Sequence, residues 1–152
     1  MNTPLISITI DQREPYFPGE TLLGEYQIDG ARTEDLLAVE LSVLWYTEGK
    51  GDEDLGVHFF ERQNQETTFG ESLGTMRRFS TVLPWSPLSY QGWLVKIVWC
   101  VRVRVFLRGG KDFFEELRFQ LGMVPQPPAL AMAAVSPEDL EGGSDAEDDT
   151  PS

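Results

Sequence analysis

The feature that most constrains the fold of this chain is a period-two alternation of apolar and polar residues. It is most regular in a run of apolar residues at every second position: Val95, Ile97, Trp99, Val101, Val103, Val105 and Leu107. Alternation of this kind is typical of a β-strand with one buried face. Shorter runs recur through residues 1–124, and no long helical stripe appears among them. We therefore predict an all-β fold of about seven or eight strands, arranged as an antiparallel β-sandwich.

The alternation also predicts which side chains face the core. In the third strand and the run after it, the expected core-facing residues are Leu37, Val39, Leu41, Val43, Trp45, Leu55, Val57 and Phe59. Near the end of the domain, a glycine pair marks a hairpin turn of about three residues that sets Arg108 opposite Asp112 and Arg104 opposite Glu116. This register matches apolar residues with apolar residues and arginine with acid, and a one-residue slip would invert every side chain.

The composition changes after Gly122. Residues 125–134 hold three prolines followed by small apolar residues, and residues 136–152 hold seven acidic residues and no lysine or arginine. A proline-rich linker favours extended conformations, and an acidic segment with few apolar residues cannot bury a core. We predict one domain, 1–124, followed by a proline-rich linker and a disordered acidic tail, 125–152.

The net charge of −13 argues against nucleic acid as a partner, because nucleic-acid affinity depends on lysine and arginine neutralising phosphates. An anionic membrane surface is disfavoured for the same reason. No apolar stretch approaches the roughly 18 residues that a membrane span requires, and the N-terminus lacks a basic region followed by an apolar one. The single cysteine, Cys100, allows no internal disulfide. We expect a cytoplasmic protein that does not insert into a membrane.

An acidic turn is a weak candidate for a metal site. Asp52, Glu53 and Asp54 follow two glycines between strand-like runs, and hard cations such as Ca²⁺ prefer carboxylate oxygens. The ligand spacing of an EF-hand is not present, and glycine and aspartate are also common in solvated turns. A solvated or partner-contacting hairpin turn is the favoured interpretation, with calcium as the alternative.

A basic stripe and an aromatic loop are the candidates for partner binding. Lys96, Arg102, Arg104 and Arg108 interleave with the apolar residues of the most regular strand and form the basic stripe. It can bind an acidic peptide or a phosphate, or it can be a solvated sheet face whose arginines pair with acids of the next strand. Charge complementarity also allows an intramolecular contact between this stripe and the acidic tail.

Trp85, Tyr90 and Trp93 lie in a loop that contains two prolines and a glycine. Aromatic residues on a rigid loop can anchor a protein partner or stack on a sugar. The alternative is that these rings cap one end of the core. Capping is the favoured interpretation, and binding of a partner or a sugar is the alternative.

We expect no catalytic activity and no cofactor. His58 is the only histidine and Cys100 the only cysteine, and the residues around Cys100 do not form a nucleophile turn. No phosphate-binding glycine loop or metal-ligand cluster is apparent in the sequence. An enzyme that uses Cys100 with His58 is the least favoured class.

Three segments of the chain carry a resemblance to a known family: 16–26 (YFPGETLLGEY), 45–62 (WYTEGKGDEDLGVHFFER) and 83–103 (LPWSPLSYQGWLVKIVWCVRV). In this order they are similar to segments of the N-terminal sandwich domain of the arrestin superfamily. Pro87, Ser89, Tyr90 and Gly92 match a Pro-x-Ser-Tyr/Phe-x-Gly stretch that leads into an alternating strand in that family.

The resemblance implies an immunoglobulin-like sandwich, similar to the arrestin N-terminal domain, and a non-catalytic scaffold that docks on other proteins. The first strand lacks the adjacent lysines with which visual-type arrestins sense phosphates, and the chain has no Pro-Pro-x-Tyr motif for recruiting ubiquitin ligases. With one sandwich and an acidic tail, it looks more like bacterial single-domain members of the superfamily. We predict a protein-interaction module with an unidentified protein partner. The alternative is a small-ligand module that binds carbohydrate or calcium through the aromatic loop or the acidic turn.

Overall fold

The computed structural model describes residues 3–12, 15–65 and 72–123. Within them lie eight strands: β1 (Leu5–Ile10), β2 (Thr21–Asp29), β3 (Leu36–Gly49), β4 (Leu55–Asn64), β5 (Arg77–Val82), β6 (Tyr90–Gln91), β7 (Val95–Leu107) and β8 (Asp112–Phe119). A 3₁₀ turn at Thr33–Asp35 precedes β3. None of the described residues belongs to a helix that is long and apolar enough to cross a lipid bilayer. The predicted linker and acidic tail, 125–152, lie outside the described residues.

The strands form two antiparallel sheets that pack face to face, which confirms the predicted sandwich. The smaller sheet has the order β1-β2-β5. The larger has the order β4-β3-β7, and both β6 and β8 pair with the far edge of β7. Contacts between the sheets place β1 beside β8. At the opposite side of the sandwich, the His58 ring of β4 contacts the carbonyl oxygen of Val82 in β5 at 2.8 Å.

The core lies between the sheets and is built from alternate residues of each strand. Its most deeply buried members include Leu22, Leu36, Leu41, Val43, Trp99, Val101, Val103, Val105, Leu107 and Leu121. Each large apolar side chain buried in this way contributes about 1.5–3 kcal/mol relative to its exposed state. The core face predicted for β7 is confirmed from Trp99 onward, whereas Val95 and Ile97 are half-buried at the start of the strand.

One predicted core residue of β3 faces outward. Leu37 is 40% exposed, because the register between β3 and β7 shifts between Leu36 and Ala38. Leu36 pairs with Leu107 and fills the inner position instead. The prediction for Leu37 was wrong because a bulge adds one residue to a strand without changing its apolar composition.

A second irregularity reverses the prediction for the start of β4. Leu55 and Val57 are each 54% exposed and lie on the outer face of the larger sheet. The β3–β4 ladder shifts register next to them, and the additional residue, His58, lets Phe59 return to the inner face. Leu55 and Val57 are therefore surface residues, contrary to the prediction.

The predicted register of the β7–β8 hairpin is wrong by two residues. Arg102, rather than Arg104, lies opposite Glu116. The turn begins one residue earlier than expected, since the amide of Leu107 donates to the carbonyl oxygen of Lys111 at 2.8 Å and the turn residues are Arg108, Gly109 and Gly110. A shift of two residues keeps each side chain on its predicted face, so the alternation could not reveal the error.

Candidate functional site

The loops at one end of the sandwich gather exposed aromatic and aliphatic residues. Strands β1, β3, β5 and β8 finish at this end, and β2, β4 and β7 begin there. The residues that we call the aromatic end are Phe17, Val82, Trp85, Leu88, Tyr90, Trp93, Leu94 and Met123. Large exposed apolar surface is uncommon on a soluble domain unless it contacts a partner or a ligand. This end is therefore the leading candidate site.

The two tryptophans of the aromatic loop do not cap the core. Trp85 is 77% exposed and Trp93 is 66% exposed, whereas a capping ring would be largely buried. The core position in this region is taken by Trp99, which is 1% exposed. The exposure of the two rings favours the interpretation that they contact something outside the chain.

The loop that carries both tryptophans is fixed by hydrogen bonds to buried groups. Trp99 donates its Nε1–H to the carbonyl oxygen of Pro87 at 2.7 Å. The amide of Ser89 donates to the carbonyl oxygen of Leu121 at 2.8 Å, and the Ser89 Oγ accepts the Leu121 amide at 2.8 Å. Because Ser89 and Leu121 are both buried, water competes little with these bonds. The middle of the loop is thus anchored, while the tryptophans on either side project into solvent.

Neighbouring loops support the two tryptophans from the sides. The amide of Gly19 donates to the carbonyl oxygen of Leu83 at 2.9 Å. The ring of Trp85 lies 3.9 Å from the position that a Cβ atom would have at Gly19. Next to the second tryptophan, the amide of Lys50 donates to the carbonyl oxygen of Leu94 at 2.9 Å. Both rings are therefore presented from backbone with defined geometry, which lowers the entropy lost on binding.

A shallow groove of about 250 Å³ lies beside Trp93 and is also lined by Glu48, Gly49 and Lys96. The carboxylate of Glu48 accepts a hydrogen bond from Arg118 at 2.8 Å. An exposed indole next to a carboxylate and an ammonium group can stack on a sugar ring while the polar groups bind hydroxyls. The groove is therefore a candidate small-ligand site within the aromatic end.

The basic stripe lies on the outer face of the larger sheet and does not include all four predicted residues. Lys96, Arg102 and Arg104 share this face. Arg108 lies in the β7–β8 turn, where its Nε donates to the carbonyl oxygen of Glu34 at 2.6 Å. Arg108 therefore binds the backbone before β3, and it does not pair with an acid across the hairpin as predicted.

The arginines of the stripe already have carboxylate partners. Arg102 Nε donates to Glu116 Oε2 at 2.7 Å, and Arg104 Nε lies 3.5 Å from Asp112 Oδ2. Both guanidinium groups also lie over the ring of Phe114, at 5.4 and 5.5 Å from its centroid. An external anion or the acidic tail would have to compete with these carboxylates. The pairing favours the interpretation of a solvated sheet face over that of an anion site.

The acidic turn is exposed and lies next to the aromatic end. The side chains of Asp52, Glu53 and Asp54 project from the hairpin that joins β3 to β4. The hairpin is closed by Thr47, whose Oγ1 accepts the amide of Asp54 at 2.8 Å. Within the described ranges, no group of three or more His, Cys, Asp or Glu side chains is placed to hold a metal ion. We refer to these three acids as the acidic rim.

Cys100 and His58 lie on opposite faces of the larger sheet. Cys100 is fully buried on the outer face, and burial, assisted by the nearby Glu116 carboxylate, raises the pKa of its thiol to about 12. His58 points between the sheets, where its ring centroid lies 6.1 Å from that of Trp99. Because the sheet separates them, they do not form a nucleophile–base pair.

Sequence reasoning missed the residues that fix the aromatic loop. The alternation of β7 predicted that Trp99 is buried, but it did not reveal that the indole N–H bonds the loop. Ser89 was recognised as part of a family-like stretch and not as the acceptor for Leu121. The only sequence signal was a proline-containing loop directly before a strand with a buried tryptophan.

Comparisons with known proteins do not identify a function for this chain. No protein-family model matches the chain, and no curated protein matches it. The features of the described chain that point to a function are the aromatic end, the groove beside Trp93 and the acidic rim.

Proposed function

We propose that this chain is a non-catalytic protein-interaction module of arrestin-like type, which acts as a scaffold or adaptor and binds a partner protein through its aromatic end. The observation that carries the proposal is the exposure of Trp85 and Trp93, at 77% and 66%, on a loop fixed by buried hydrogen bonds. The resemblance of three segments to arrestin N-terminal sandwiches supports the same class. A cytoplasmic location is part of the proposal, since the single thiol at Cys100 is buried and unpaired.

Tryptophan and tyrosine are the residues most enriched among binding hot spots, because a ring buries a large area and has few rotamers to lose. Two tryptophans on an anchored loop therefore favour a protein partner over an incidental surface. The acidic rim lies beside them and would attract a partner whose apolar patch is bordered by lysine or arginine. Such charges mainly raise the association rate, so we expect binding to weaken with added salt.

Affinity capture with the full chain tests the proposal. The baits are the wild-type chain, the variant Trp85→Ala/Trp93→Ala, and the control Phe60→Ala. Phe60 is 51% exposed on the larger sheet, so the control removes a comparable ring far from the loops. Truncating a hot-spot tryptophan costs about 2 kcal/mol or more, which is a loss of about 30-fold in affinity per residue.

We expect the same protein to be retained by the wild type and by Phe60→Ala, and lost with the double tryptophan variant. The proposal is wrong if the double variant retains that protein as well as the wild type does. It is also wrong if the wild-type bait retains no protein above background.

Carbohydrate binding in the groove beside Trp93 is the second candidate function. It is favoured by the specific placement of Glu48 and Lys96 next to an exposed indole. Titration of the full chain with a panel of glycans, followed by tryptophan fluorescence, tests it. A saturable change that Trp93→Ala abolishes and Trp85→Ala preserves supports this function, and the absence of any such change rejects it.

A further inference from the structure

The last residue that the structure describes, Met123, lies at the aromatic end. The amide of Gly122 donates to the carbonyl oxygen of Tyr16 at 2.7 Å, and Gly122 packs against Leu88. Met123, the next residue, is 69% exposed and belongs to the aromatic end. The sequence that follows, 124–135, is VPQPPALAMAAV. A proline-rich, uncharged segment therefore leaves the domain next to its exposed tryptophans.

The chemistry of this segment fits the surface from which it departs. Proline-rich segments that adopt the polyproline II conformation dock on surfaces lined with tryptophan and tyrosine, and they lose little entropy because they are already extended. At about 3.1 Å per residue, the eleven residues 125–135 can extend by roughly 34 Å. That length is sufficient to cross one end of a small sandwich.

The proline-rich segment differs in charge from the acidic tail that follows it. Residues 124–135 carry no charge, so the acidic rim does not repel them. Residues 136–152 contain seven acids and would be repelled by the rim. Arginines of the sheet face, such as Arg102 and Arg104, already have carboxylate partners. The uncharged segment is thus a better candidate for an internal ligand than the acidic tail.

We propose that residues 125–135 dock in cis on the aromatic end and cover Trp85 and Trp93 until an external partner displaces them. The segment is tethered at Met123, so its effective concentration at this surface is high without any strong contact. As a regulatory device the contact depends on the proposed function, but the contact itself can be measured without any partner.

Paramagnetic broadening in the full chain tests the contact. A nitroxide is attached at Ala134→Cys, and the native Cys100 is not labelled because its thiol is fully buried. The indole N–H signals of Trp85 and Trp93 report proximity, and the backbone amide of Asp35, at the opposite end of the sandwich, serves as the internal reference. The release variant carries Pro125→Ser, Pro127→Ser and Pro128→Ser. The matched control carries Glu138→Gln, Asp139→Asn and Glu141→Gln.

We expect the signals of Trp85 and Trp93 to lose most of their intensity in the parent chain and in the matched control, and to recover in the release variant. Equal broadening in the parent and the release variant would mean an undirected tether and would overturn the proposal. Recovery in the matched control would mean an electrostatic contact of the acidic tail, which also overturns it.

A mixture of nitroxide-bearing chain and isotope-labelled chain without nitroxide tests whether the segment docks on a second copy of the chain and not on its own domain. Broadening of the two tryptophan signals in the isotope-labelled chain would show docking in trans and would contradict the cis contact. None of these outcomes depends on partner capture. Failure of the cis contact therefore leaves the proposed protein-binding function standing, and failure of partner capture leaves the contact measurable.

Discussion

Replacing Ser89 by alanine removes one oxygen atom from the anchor of the aromatic loop. The Ser89 Oγ accepts the amide of Leu121 at 2.8 Å, and Leu121 is fully buried. The main-chain bond from the Ser89 amide to the Leu121 carbonyl oxygen stays in place after this substitution. The Leu121 amide is then left without its acceptor in a site that water does not readily reach.

A buried donor left without an acceptor costs about 1–3 kcal/mol. A loss of about 2 kcal/mol lowers the urea midpoint by about 1 M when the denaturant slope is near 2 kcal/mol per M. The matched control is Ser80→Ala, an exposed serine of β5, for which we expect a change within about 0.5 kcal/mol. Urea unfolding of the full chain, followed by fluorescence, compares the free energies of unfolding of the two variants.

The predicted cost of removing the Ser89 hydroxyl is wrong if Ser89→Ala and Ser80→Ala have the same unfolding midpoint and the same slope. That result would mean that the Leu121 amide has another acceptor of equal quality. Hydrogen exchange gives an independent reading, because the Leu121 amide should lose protection in Ser89→Ala and keep it in Ser80→Ala.

Three further predictions concern the glycine backbone at Gly49, the thiol of Cys100 and the buried hydroxyl of Tyr26. Gly49→Ala should destabilise the chain more than Gly109→Ala in urea unfolding, because a Cβ at Gly49 would collide with the carbonyl oxygen of Leu94. Gly109 has open space around it, so Gly109→Ala should lose only about 1–2 kcal/mol for its positive φ, and equal losses would contradict the prediction. Cys100, with its thiol pKa raised to about 12, should react with a thiol reagent at pH 8 only in denaturant, and rapid reaction of the native chain would show that the site opens. Burial raises the pKa of Tyr26 from 10.0 to about 12, so its neutral form stabilises the fold below pH 10 and this contribution is lost as the pH rises toward 12. Tyr26→Phe should lose less stability than the wild type over that interval in unfolding measurements, and an identical pH dependence would contradict the assignment.

The alternation of apolar residues was sufficient to predict the sandwich and most of its inner faces. Val101, Val103 and Val105 are buried as the period of two requires. The alternation failed at Leu37 and at Leu55, where bulges insert a residue and reverse the faces of a strand. A bulge depends on how two strands pair, which one strand's sequence does not encode.

The hairpin register failed for a related reason. The predicted and the observed register keep each side chain on the same face of the sheet, and they differ in whether the three-residue turn begins at Arg108 or at Gly109. The pairing of Arg102 with Glu116 could therefore not be derived from charge matching alone. Arg104 offers an equally good match in the other register.

Sequence identified Trp85 and Trp93 as candidates, but it favoured a cap on the core, and the exposure of both rings shows that this preference was wrong. The outcome depends on Trp99, whose indole occupies the core position and bonds the loop through Pro87. That contact joins residues on two different elements. The alternation of β7 correctly predicts that Cys100 lies on the outer face, whereas the face on which His58 lies could not be predicted, because a bulge at His58 determines which way its ring points.

Site-specific photo-crosslinking in native lysate tests whether the aromatic end binds a partner protein. Benzoylphenylalanine is placed in the full chain at position 85, at position 93 or, as the control, at position 60 on the sheet face, and the crosslinked proteins are identified by mass spectrometry. If a partner binds at the aromatic end, one and the same protein is crosslinked from positions 85 and 93, and none is crosslinked from position 60. Crosslinking from position 60 alone, or no protein captured from positions 85 and 93, would contradict it.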